Sequence, residues 1–63
     1  MDTAEIRINT DRNSRRFAFV GDYIVREGEG MTTVTRDIDG DEVRLATLAS
    51  FDTALAWAQE AKA

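Results

Sequence analysis

The sequence predicts an α+β domain: an antiparallel sheet of four or five strands in meander order, with one C-terminal helix packed on one face. Three observations carry this. Short segments that alternate apolar and polar residues recur between turn-forming residues through the first three quarters of the chain. Asp39-Gly40 separates two β-prone segments of similar length. An alanine-rich stretch opened by Ser50 closes the chain. Sixty-three residues allow a single small domain, 1–63, with a limited core.

Residues 4–9 (AEIRIN) alternate, with Ile6 and Ile8 on one side and Glu5, Arg7 and Asn9 on the other, as in a half-buried strand. Residues 10–14 (TDRNS) are turn formers. Residues 15–20 (RRFAFV) alternate again, and the expectation is that Phe17 and Phe19 face the core. Gly21-Asp22 fits either a tight hairpin or a bulge in one long bent strand. Residues 23–27 (YIVRE) are β-prone, Gly28-Glu29-Gly30 is a turn, and Glu27 and Glu29, on either side of Gly28, are expected to be solvated.

Residues 31–38 and 41–48 form the hairpin with the strongest signal. A two-residue Asp39-Gly40 loop pairs Ile38 with Asp41, Arg36 with Val43, and Val34 with Leu45. Val34, Ile38, Val43 and Leu45 then share the core face, and Thr33, Thr35, Arg44 and Ala46 share the other. In the helix, Ser50 is a natural N-cap and Asp52 suits the first turn. At 100° per residue, Phe51, Ala54, Leu55 and Ala58 make one stripe, with Trp57 at its edge. One helix covers one face of the sheet and leaves the other open.

Composition bounds function. Without histidine or cysteine, the usual general base, thiolate nucleophile and soft metal ligands are missing, and no catalytic signature is present. The chain reads as a non-enzyme that needs no cofactor. No apolar run approaches the ~18 residues of a membrane span, and the N-terminus lacks a signal-peptide pattern. The expected location is therefore cytoplasmic, away from membranes.

The net charge is −4, with +1 on residues 1–20 and −5 on residues 21–63. An acidic chain repels phosphate backbones, which disfavours direct nucleic-acid binding. Arg12, Arg15 and Arg16 beside Phe17 and Phe19 make the one basic–aromatic segment, discounted on the expectation that the rings are core.

The acidic stretch 37–42 (DIDGDE) invites a calcium reading. From Asp37, loop positions 1, 3 and 5 are carboxylates, but position 6 is Glu42 where glycine is needed, and position 12 is Leu48. The expectation is no metal site. As a hairpin end, the stretch gathers Asp37, Asp39, Asp41 and Glu42 with Asp22 at one pole of the sheet. This pole, with Trp57 as an aromatic anchor, is the candidate surface for a protein partner with a basic face. A housekeeping interaction module, or a homodimer pairing open faces or edges, is the alternative.

The segment 43–61 (VRLATLASFDTALAWAQEA) looks like the closing strand, Ser-Phe cap and alanine-rich helix of many small bacterial and phage ββα-type proteins. It covers about a third of the chain and carries no site over. In size, charge and lack of cysteine, the whole chain resembles small phage-encoded inhibitors, including anti-CRISPR proteins. That resemblance implies a protein that occupies a nucleic-acid-binding or assembly surface on a larger complex.

Overall fold

Turn chemistry sets the sheet topology. A computed structural model describes residues 6–63. Its strands are β1 (Ile8–Thr10), β2 (Arg16–Val20), β3 (Tyr23–Glu27), β4 (Thr32–Ile38) and β5 (Asp41–Leu48), followed by helix α1 (Phe51–Lys62). The sheet order is β1-β2-β3-β4-β5, each strand antiparallel to the next, and the helix packs against one face. The expected meander with a C-terminal helix is thus present, with five strands. The first strand, expected over 4–9 with a loop from residue 10, is corrected to Ile8–Thr10: residues 6 and 7 precede it, Thr10 belongs to it, and residues 4 and 5 lie outside the described residues.

Between β1 and β2, the Asp11 carboxylate accepts from the backbone N–H groups of Asn13 (2.8 Å) and Arg15 (3.0 Å). Ser14 closes that loop at φ 65°. Gly21-Asp22 is a tight hairpin, because Val20 pairs directly with Tyr23. Gly21 takes φ 62°, as the first position of a II′ turn requires. Asp39 and Gly40 lie at φ 54° and 87°, the two positive values of a type I′ turn. Gly40→Val would force a β-branched residue into that region at a cost of about 1–2 kcal/mol. The melting temperature should fall by about 4 °C or more; an unchanged melt would contradict this turn.

The expected register holds at Ile38–Asp41 and Arg36–Val43, then shifts. Thr35 pairs with Arg44 but Val34 pairs with Ala46, leaving Leu45 as the extra residue of a β-bulge. The pairing of Val34 with Leu45 is therefore corrected. Leu45 is 40% exposed, while Ala46 and Leu48 pack against the core. A one-residue slip exchanges the faces of every later side chain. Here it turns Leu48 toward the helix that begins three residues on.

The placement of Phe17 and Phe19 is also corrected. Alternation put them on one face, which holds, but that face is the uncovered one. Their neighbours Ala18 and Val20 are buried under the helix instead, and Phe19 is 57% exposed. Size decides between the two parities. The helix buries Ala54 and Ala58 against Ala18, Val20, Val25 and Val34, all small enough for close approach. Phe51 is the one large ring in this core. Leu55 and Trp57 are half-buried at its margin, and Glu60 is exposed.

Ser50 caps the helix as expected, its Oγ accepting from the Thr53 N–H at 3.2 Å. The helix packs on β2 through β5 and does not reach β1. Ile8 therefore stays 49% exposed although it pairs with the buried Ala18, while Ile6 packs against the core.

Candidate functional site

The two hairpin turns at Gly21-Asp22 and Asp39-Gly40 lie at the same end of the sheet, because Tyr23 pairs with Arg36 and Arg36 with Val43. Asp22, Asp37, Asp39, Asp41 and Glu42 therefore share one pole, as anticipated. The C-terminal end of the helix arrives there too: the Lys62 stem passes so close to Gly21 that an added Cβ would meet it at 3.1 Å. The negative end of the helix dipole thus reinforces the pole, and Lys62 offsets part of it.

The carboxylates are not equivalent. Glu42 Oε2 accepts from Arg26 Nη1 at 2.7 Å and from Thr35 Oγ1 at 2.9 Å, so it is committed to a bridge across the uncovered face. That bridge leaves Thr35 only 8% exposed on a face with no helix. Asp22 approaches Arg36 at 3.7 Å, a loose and exposed pair that contributes little. Asp37 lies directly across from Glu42, on the same face, and Asp41 across from Ile38 on the helix side. Asp37, Asp39 and Asp41 have no ion pair among the described residues.

The structure adds what the sequence reading assigned to the core. Ile38 and Val43 are on the helix side of the sheet, but they remain 42% and 39% exposed. The helix packs on β5 through Ala46 and Leu48, further along the strand. Beside Val43 in the same cross-strand row, the Arg36 guanidinium lies 5.4 Å from the Tyr23 ring centre. Trp57 meets Tyr23 edge-on at 6.2 Å. At this pole Ile38, Val43 and Asp41 are thus on the helix side, Asp37 and Glu42 on the uncovered side and Asp22 and Asp39 in the turns, with Trp57 at the border.

At the opposite end, Arg16 and Glu27 form a two-pronged pair. Arg16 Nε donates to Glu27 Oε1 at 3.2 Å and Nη2 to Oε2 at 2.9 Å, and the Arg16 backbone N–H adds a third bond at 2.9 Å. The same guanidinium lies 4.6 Å from the centre of the Phe51 ring. Glu27 is therefore a structural group, which corrects the expectation that its side chain is simply solvated. Arg16 opens β2, within the segment 15–20 that alternates in the sequence.

Hydrogen bonds from the Arg16 side chain and then its backbone lower the Glu27 pKa from 4.5 to about 2. A lowered folded-state value stabilises the fold above the unfolded pKa, and that stabilisation is lost as pH falls through the folded one. Glu27→Gln should melt below the parent at neutral pH. The gap should narrow between about pH 4.5 and 2. A gap that is constant across this window would mean the pair is not coupled to folding.

Among the described residues, no three carboxylates converge to hold a metal ion. Ser50 is occupied as a helix cap and donates to Thr53 Oγ1 at 2.8 Å. No helix among the described residues is long and apolar enough to cross a membrane. The chain matches no family model, no curated protein and no solved structure.

Proposed function

We propose that the chain is a non-enzymatic protein-binding inhibitor or adaptor that uses the acidic pole as its contact surface. The exposure of Ile38 and Val43 among the carboxylates supports this reading. Exposed apolar side chains bordered by charge are the anatomy of a protein interface, whereas a merely solvated turn needs no exposed apolar pair. Trp57 at the border supplies an aromatic anchor of the kind enriched at hot spots.

The partner is defined by complementary chemistry: a basic protein surface with an apolar hollow. Surfaces that hold nucleic acid are basic, and an acidic protein seated on one blocks it. That is the action of inhibitors of the anti-CRISPR type, and it would take place in the cytoplasm.

The test is capture of a partner on immobilised protein, followed by binding kinetics with the purified pair. Val43→Ser should raise the off-rate, and replacing the free aspartates by asparagine should lower the on-rate. If both variants bind like the parent, the pole is not the contact surface.

A further inference from the structure

We infer that the uncovered face of the sheet carries a second surface, a stacking platform for single-stranded nucleic acid built on Phe17 and Phe19, with Arg15 and Arg44 at its margins. This segment was discounted because the chain is acidic and because its rings were expected in the core; the structure removes the second reason by placing the rings outside it. Their centres are 6.1 Å apart in an edge-to-face arrangement, and Phe19 is 57% exposed. Every nucleobase offers a π-face to such a ring, whatever the sequence.

A hollow of about 330 Å³ opens beside the rings, lined also by Ile24, Arg15 and Arg26. That is at the lower end of small-ligand sites, which start at roughly 300 Å³, and it suits one base.

Of the three arginines that line the hollow, only Arg15 has no ion pair among the described residues. The two carboxylates at its edge are already used, Glu27 by Arg16 and Asp11 by backbone N–H groups. Arg26 is held by Glu42. Arg15 and Arg44 make no ion pair among the described residues and remain available to phosphate. Phe19, Ile24, Thr35 and Arg44 lie in one cross-strand row. At ~4.8 Å per strand, Arg44 is about 14 Å from Phe19. An extended strand crossing the sheet along this row would stack at the rings, pass the Glu42 carboxylate that covers Thr35, and meet a guanidinium at the far end. A duplex keeps its bases stacked on each other and gains nothing here. Asp37 lies on this same face two residues beyond Thr35, so the platform borders the acidic pole.

The net charge of −4 opposes long-range attraction, so binding should be sought at low ionic strength. The probe is a fluorescein-labelled oligothymidylate of about twelve nucleotides, followed by anisotropy from about 50 to 200 mM salt. A saturable rise is expected with the single strand and none with the matching duplex. Two phosphate contacts give a log–log salt slope of about −1.4, and Arg15→Gln should reduce its size by about 0.7. Phe19→Ala should weaken binding at least about fivefold with an unchanged thermal melt. The inference is overturned if no saturable rise appears at about 50 mM salt, or if Phe19→Ala binds like the parent. It is equally overturned if sedimentation shows a parent dimer that Phe19→Ala abolishes, since the face would then belong to a second copy.

Discussion

Phe51→Ala is expected to leave the chain largely unfolded at room temperature. Phe51 is 2% exposed and is the largest fully buried side chain. The rest of the fully buried core is valine, alanine and threonine, which are too short to fill the space it would vacate. Truncating a buried phenylalanine costs about 3–5 kcal/mol. A core in a domain this small rarely supplies more than about 3–5 kcal/mol in total. The two quantities are equal, so the loss is close to the whole stability. The substitution also removes the ring beneath the Arg16 guanidinium. Phe51→Leu keeps most of the volume and should melt cooperatively at a lower temperature. Phe19→Ala, at a 57% exposed position, should melt like the parent. Far-UV circular dichroism separates these outcomes. A cooperative melt for Phe51→Ala within a few degrees of the parent would mean that the helix does not depend on this contact.

The boundaries of the later strands and of the helix were legible because local signals decide them, whereas β1 starts and ends later than its alternation suggests. Asp39-Gly40 fixes a turn by its positive φ values, and Ser50 fixes a helix start by its cap. The side each strand shows to the helix was not legible where both parities are apolar. In β2, Phe17 and Phe19 alternate with Ala18 and Val20, and periodicity cannot rank the pairs. The choice is made by the alanines of the helix, which come close only over small residues. In β5, Val43 and Leu45 give one apolar phase, and Ala46 and Leu48 give the other. Two phases in one strand are the trace of the bulge, but the pattern alone does not say where the extra residue falls. The acidic pole was legible because two turns at one end follow from meander topology. The pairing of Arg16 with Glu27, and of Arg26 with Glu42, was not, because each depends on side chains that reach across strands.

Replacing Asp22, Asp37, Asp39 and Asp41 with asparagine is expected to slow association with the partner by about tenfold or more at low salt, and to leave the fold intact. Glu42 is kept, because it accepts from Arg26 and Thr35 and its loss would strip a bridge from the sheet. Gly40 is kept for its turn, and asparagine at position 39 tolerates the left-handed backbone found there. The four changes bring the net charge from −4 to zero. They remove charge from exposed positions and no buried contact, apart from the loose Asp22–Arg36 pair. Long-range attraction acts before contact, so its loss belongs in the on-rate. It also weakens with salt, because the screening length falls to ~8 Å near physiological ionic strength. The parent's on-rate should therefore drop steeply as salt rises, and the variant's should stay nearly flat. The two should converge at high salt. Val43→Ser acts at the exposed apolar pair and should show the reverse: an unchanged on-rate, an unchanged salt dependence and a faster off-rate. Combining the two sets separates steering from anchoring, since their effects on the free energy of binding should add if the carboxylates and the exposed apolar pair act at different stages. An asparagine variant that associates as fast as the parent at every salt concentration would reduce the pole to a solvated pair of turns.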